Sequence, residues 1–207
     1  MADLAGKEEV EVLADKDPGV GLPGRVYLPG YSRTMGPQSH LFAERERLQS
    51  LTWKNFDVKQ LSPTIGAELV GLDLSQELPD EVISEIQQAL WDFKVIFFRN
   101  QEITSDQQIQ FAQRFGELEI HPFLPPNTDT PELVRFEKNA NAAGYENQWH
   151  HDVTWRETPS QGAILRAIEI PPIGGDTLFV DANAAYEGLT EEIKEEIDSL
   201  YAKHDFL

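Results

Sequence analysis

The run Trp149-His150-His151-Asp152-Val153-Thr154-Trp155 sets two imidazoles beside a carboxylate, and Gly174-Gly175-Asp176-Thr177 follows it downstream. On an extended segment successive side chains point to opposite faces, so His150 and Asp152 share a face and His151 turns away. One imidazole and one carboxylate aimed at a common point make two of the three donors that hold non-haem Fe(II) in oxygenases. The same spacing also suits a histidine hydrogen-bonded to a carboxylate on an exposed strand, and periodicity alone does not choose between them. The single histidine beyond His151 is His204, inside an acidic helical pattern.

The elements that must position these groups read as follows. Val58–Leu61 and Ala67–Leu72 are predicted strands flanking a turn at Pro63–Gly66. Pro79–Phe93 is a predicted helix, with Ile83, Ile86, Leu90 and Phe93 at helical spacing and Pro79 in its first turn. Val95-Ile96-Phe97-Phe98 is a continuous apolar run, suited to a buried strand. A second helix is expected from Ser105, capped by that serine with Gln108 closing a capping box, and ending at Gly116. Beyond it, strands are expected at Leu133–Phe136, Trp149–Trp155, Ala163–Ile170 and Thr177–Val180. Asp181 then caps a helical turn, and a helix from Thr190 carries Ile193, Ile197, Leu200 and Tyr201 on one face. Helices early and strands late predict an α+β chain with a jelly-roll type of sheet. Residues 1–55 read as an acidic, irregular amino-terminal arm, broken by Gly and Pro between Gly21 and Tyr31, and residues 56–207 as the folded domain.

Composition narrows the partners. Seventeen basic against 36 acidic side chains leave a net charge of −19. Such a field repels phosphate backbones and anionic lipid, so neither nucleic acid nor a membrane surface is an expected partner. There is no cysteine, which excludes disulfides and thiolate metal sites. Met1–Val20 is polar and acidic without the apolar centre of a signal peptide, and no apolar run approaches the roughly 20 residues of a membrane span. A cytoplasmic protein is the expectation, and homo-oligomerisation is compatible with it.

Several motifs in register carry a resemblance to a known family. They are Gln113-Arg114-Phe115-Gly116-Glu117-Leu118 with His121-Pro122, then Trp149–Trp155, then Pro159-Ser160-Gln161-Gly162-Ala163-Ile164-Leu165, then Gly174-Gly175-Asp176-Thr177-Leu178-Phe179. From about Leu61 to Leu207 the chain resembles the taurine/2-oxoglutarate dioxygenases (the TauD/TfdA family), which include phenoxyacetate dioxygenases. The resemblance implies a double-stranded β-helix, a cupin-like jelly roll with flanking helices. It implies Fe(II) as cofactor, with 2-oxoglutarate and O2 as co-substrates. It makes His150 and Asp152 the first two iron ligands, and Thr177 the hydroxyl that hydrogen-bonds a 2-oxoglutarate carboxylate. Thr177 is otherwise a β-branched residue opening a strand. His121 resembles the position that contacts the acidic head of the substrate in sulfonate-oxidising members, where an imidazole N–H donates to a sulfonate or carboxylate oxygen. Leu124 stands where the taurine enzymes carry a tyrosine, which removes one hydroxyl donor; Glu146 and Asn147 fall in a loop that varies within the family.

Other groups read as structural: Trp149 and Trp155 packed in the barrel wall, Arg99 and Arg114 exposed or paired, and the Glu191-Glu192-Glu195-Glu196 cluster as a solvated helix face. The resemblance puts His204 at a helix end away from the metal. Only 55 residues follow Asp152, whereas the family's second histidine ligand and its 2-oxoglutarate arginine come later, so the domain is expected to be carboxy-terminally incomplete. The leading expectation is an Fe(II)/2-oxoglutarate-dependent dioxygenase acting on a small acidic organic substrate, a sulfonate or alkyl sulfate, with succinate and CO2 as co-products. The alternatives are a non-catalytic remnant and a cupin-like metal-binding module lacking the third ligand.

Overall fold

The computed structural model describes residues 39–121, 129–137 and 149–204. Its elements run α1 (Ser39–Ser50), β1 (Asp57–Gln60), β2 (Ala67–Val70), α2 (Asp80–Phe93), β3 (Ile96–Phe97), α3 (Ser105–Gln113), α4 (Ala182–Glu187) and α5 (Glu191–Ile197). The described residues divide into two compact units. One holds residues 39–51, 63–65 and 180–201; the other holds 52–62, 66–121, 129–137, 149–179 and 202–204.

The second unit is built on a three-stranded mixed sheet in the order β1-β2-β3. β1 and β2 pair antiparallel from Asp57↔Val70 to Gln60↔Ala67, and β2 pairs parallel with β3 at Ala67↔Ile96 and Glu68↔Phe97. The Leu61 N–H donates to the Gly66 carbonyl at 2.9 Å. Gly66 has φ +87°, a left-handed backbone that a Cβ would strain. A parallel partner needs a crossover, and α2 provides it. Of the residues that the spacing puts on its inner face, Ile83, Ile86 and Phe93 are buried, with Val82 and Ala89 beside them, while Leu90 is half-buried. Trp53 stacks on Phe56 at 5.6 Å and meets Phe93 at 6.0 Å. Pro79 lies one residue outside the helix, at its N-cap. Lys94, at φ 66°, donates its N–H to the Leu90 carbonyl and redirects the chain into β3.

The capping box of α3 is shifted by one residue from the sequence reading: Thr104 accepts from the Gln107 N–H, and the Gln107 side chain accepts from the Thr104 N–H. Ser105 is the first helical residue, since Thr104 has the extended backbone that a cap requires. Arg114 closes this helix, and Gly116, at φ 153°, lies two residues beyond.

In the other unit the arm expected to be irregular through residue 55 carries a helix, α1. Leu48 is buried on it, Glu44 pairs with Arg47, and the His40 ring is 3.1 Å from the Ala184 carbonyl oxygen of α4. Residues 1–38 of that arm, Gly21–Tyr31 included, lie outside the described residues. Asp181 caps α4 by accepting from the Ala184 N–H at 3.0 Å. Thr190 is the N-cap of α5, which ends at Ile197, so Leu200 and Tyr201 lie past the helix and are exposed.

The strands expected at Leu133–Phe136, Trp149–Trp155, Ala163–Ile170 and Thr177–Val180 do not form. A strand satisfies its backbone only by pairing, and no described segment pairs with these. Ile168, Ile170, Leu178 and Val180 consequently stay exposed, and Ile173 is 90% exposed. The observed architecture is a small mixed sheet with helices. No described helix is long and apolar enough to cross a membrane.

Ile86 is fully buried, at 0% exposure. Ile86→Ala is expected to cost about 2–5 kcal/mol in urea unfolding, the range for emptying a packed aliphatic site. Glu85, on α2, accepts from the Lys54 and Asn55 backbone N–H groups and from the Asn55 amide. Partial burial pushes its carboxyl up, but these donors outweigh that effect and hold it below the usual range. A depressed folded-state pKa stabilises above the ordinary glutamate range, and that stability is lost as pH falls through the folded value. The stability difference between the parent and Glu85→Gln should therefore be present at neutral pH and shrink as pH falls below the ordinary glutamate range, read from unfolding midpoints across pH.

Candidate functional site

His150 lies on irregular chain and Asp152 opens a turn, so the pair does not sit on a strand. Residues 152–155 form a turn in which Val153 takes φ 59° and the Arg156 N–H donates to the Val153 carbonyl at 3.1 Å. Alternation along a strand therefore cannot be what aligns the two groups. The turn nonetheless brings His150 Nε2 to 3.4 Å from Asp152 Oδ1, with the side chains 64% and 63% exposed. His151 is held differently, its Nδ1 lying 3.0 Å from the Asp152 backbone carbonyl oxygen.

Two donors bound to one first-row divalent cation at about 2.1 Å each stand at most about 4.2 Å apart. The 3.4 Å separation meets that limit, and a neutral imidazole with a carboxylate is a suitable donor set for iron. A third donor is not in place: among the described residues no group of three His, Cys, Asp or Glu could hold a metal. His204, expected at a helix end away from the pair, follows no helix directly. Its Nδ1 lies 2.8 Å from the Thr154 hydroxyl, two residues past Asp152, without completing such a group.

Thr177 follows the Gly174-Gly175 turn, whose glycines have φ 77° and 75°. Two successive left-handed residues need glycine, and a Cβ on Gly175 would come within 3.2 Å of Pro171 Cγ. Thr177 is exposed and, among the described residues, makes no hydrogen bond to His121, His150 or Asp152. The segment before it is pinned elsewhere: Arg166 donates to the Ile103 carbonyl at 2.7 Å, and Gln108 donates to the Ile164 carbonyl at 3.3 Å. Phe179 meets Phe97 of β3 edge-on at 6.2 Å.

His121 is half-buried at the end of the segment that leaves α3. Two residues before it, Glu119 reaches the loop that carries the pair: Oε1 is 2.6 Å from Arg156 Nη1, and Oε2 accepts from the Ser160 hydroxyl at 2.8 Å. Sequence inspection does not find this contact, because 37 residues separate Glu119 from Arg156 and neither lies in a ligand-like spacing. An open groove of about 530 Å³ lies beside the same segment, lined by Gln113, Gly116, Glu117, Leu118, Ile120 and Glu132. None of His121, His150, Asp152 and Thr177 lines it.

The remaining expectations divide. Trp149 is 68% exposed and is not packed in a wall, since no neighbouring strand covers it. Trp155 carries the Arg156 guanidinium over its ring at 5.0 Å. Arg114 pairs with Asp80 and donates to the Leu78 carbonyl, and Arg99 lies over the Phe97 ring. Leu124, Glu146 and Asn147 lie outside the described residues. Because His150 and not His151 faces Asp152, His150→Ala should weaken Co(II) binding at least about tenfold, while His151→Ala should stay within about threefold of the parent. Equilibrium dialysis under argon measures both.

Residues 57–207 match the family model described as taurine catabolism dioxygenase TauD, TfdA family. The chain is 40% identical over 150 residues to an alpha-ketoglutarate-dependent sulfate ester dioxygenase of Pseudomonas putida, covering 72% of this chain and 49% of that one. It is 36% identical over 152 residues to an alkylsulfatase of Acinetobacter baylyi, covering 73% and 47%. The crystal structure of a taurine dioxygenase from Burkholderia xenovorans superposes with a TM-score of 0.61 at 35% identity, covering 70% of this chain and 52% of that one. The chain thus spans about half the length of the relatives it matches. With the family model covering its residues from β1 onward, the chain belongs to the TauD/TfdA dioxygenase family.

Proposed function

We propose that this protein is an Fe(II)- and 2-oxoglutarate-dependent dioxygenase that hydroxylates a small acidic organic substrate, with an alkyl sulfate or sulfonate as the favoured class. The observation that carries the reading is the His150–Asp152 pair, 3.4 Å apart, within a span that belongs to the family. The sulfate-ester-acting relative, at 40% identity, supports the substrate class. The family's jelly roll is the framework in which the exposed apolar run from Ala163 to Val180 would be paired.

In this reading the neutral His150 imidazole and the Asp152 carboxylate hold the iron, which when bound supplies the activation of O2 coupled to decarboxylation of 2-oxoglutarate. The Thr177 hydroxyl donates to a carboxylate oxygen of that keto acid. His121 donates an N–H to an oxygen of the substrate's sulfate or sulfonate. This anchors an anion in a chain of net charge −19, because one directed donor at short range outweighs a screened distant field. The chemistry that the bound iron would supply is hydroxylation at the carbon bearing the sulfate ester; the hemiacetal ester so made would break its C–O bond to give an aldehyde and sulfate, with succinate and CO2 as co-products. A cytoplasmic setting, where 2-oxoglutarate is plentiful, fits this chemistry.

The test is succinate formation under air with Fe(II) and 2-oxoglutarate, offered medium-chain alkyl sulfates, alkane sulfonates and aryloxyacids in parallel. Alkyl sulfates are expected to give succinate and sulfate in equal amounts. His121→Ala should raise KM about tenfold or more with a smaller change in kcat, the mark of a lost binding contact. Succinate at background with every substrate would sink the reading and leave a non-catalytic metal-binding protein.

A further inference from the structure

Glu119 is held in an unusual way for a residue so close to the surface. Its side chain and that of Arg156 are each only about one-third exposed. Oε1 is out of solvent and meets the guanidinium at 2.6 Å without the alignment of a hydrogen bond, so this link is one of charge. Oε2 takes the Ser160 hydroxyl at 2.8 Å. Both oxygens thus engage one stretch of chain, on the far side of the turn that closes with the Arg156 N–H on the Val153 carbonyl. Arg156 is further fixed by lying over the Trp155 ring. Partial burial weakens screening, and two contacts on one rigid carboxylate cost less ordering than two separate pairs.

We propose that Glu119 is a positioning residue: its carboxylate ties the loop carrying His150 and Asp152 to the segment carrying His121, so that the metal donors and the substrate contact are held in a fixed relation. What the loop binds rests on the dioxygenase reading; the tie itself does not. Groups that hold ligand-bearing segments typically change metal affinity 10- to 100-fold when removed, and Glu119 acts at one remove, so an effect near the lower end is expected.

Two readouts on the full chain test this, for the parent, Glu119→Gln, and the charge exchange Glu119→Lys with Arg156→Glu. The first is amide hydrogen exchange. Glu119→Gln should speed exchange of residues 150–158 by about five- to tenfold, leave α2 unchanged, and be reversed in large part by the charge exchange. The second is Co(II) affinity by anaerobic dialysis, which should fall about fivefold to tenfold in Glu119→Gln at an unchanged Tm and recover with the charge exchange. Unaltered exchange at 150–158 overturns the proposal. So does faster exchange with unaltered Co(II) affinity, because Glu119 would then hold the loop without setting its donors. If the parent itself binds no Co(II), the dioxygenase reading fails, and the exchange arm alone upholds or overturns the tie.

Discussion

Backbone hydrogen bonding across the joint between β2 and the end of α2 is the constraint on which the sheet unit depends. The Gly66 N–H donates to the Phe93 carbonyl at 2.8 Å, and the Ala67 N–H donates to the Val95 carbonyl at 3.0 Å. Phe93 is at once the last residue of the buried helix face and an acceptor for the sheet. Gly66 donates to that acceptor and supplies the left-handed turn that delivers the Ala67 N–H to the Val95 carbonyl. Remove either and the crossover no longer returns β3 alongside β2. The aromatic contacts of Trp53 with Phe56 and Phe93 close the same joint from the side, burying the apolar surface that drives it.

The region that carries the His150–Asp152 pair is organised by side chains rather than by a ladder. Residues 149–180 contain no strand, and many of their apolar side chains face solvent. What fixes them is a set of single polar contacts: Glu119 on Arg156 and Ser160, His204 on Thr154, Arg166 on Ile103, Gln108 on Ile164. Such contacts locate a loop but contribute less cooperative stability than a sheet does. The relation of His150 to Asp152 on this loop is therefore governed by local turn geometry, with Val153 in a left-handed conformation directly after Asp152.

That difference explains why the pair meets although the strand does not exist. On a strand, His150 and Asp152 would share a face and His151 would oppose them. In the turn, His151 instead folds its Nδ1 onto the Asp152 carbonyl, and His150 is left facing the Asp152 side chain. The spacing of two is met by both geometries, for different physical reasons.

Sequence alone determined whatever depends on neighbours along the chain. The buried stripe of α2, the Asp181 cap and the glycine turn at 174–175 are set by side-chain periodicity, a capping oxygen and the absence of a Cβ. The motif blocks were likewise legible, because each is a short run of residue types in fixed order. The tertiary structure decided what depends on partners distant in sequence. Apolar-rich runs at 163–170 and 177–180 announce strands, but a strand exists only where another backbone offers its hydrogen bonds, and among the described residues none does. The capping box moved from Ser105 to Thr104 because the entry angle of the chain, not the residue type, selects which hydroxyl sits at the cap. Glu119 was invisible for the same reason: an ion pair across 37 residues leaves no periodic trace, and only the folded chain brings its carboxylate to Arg156.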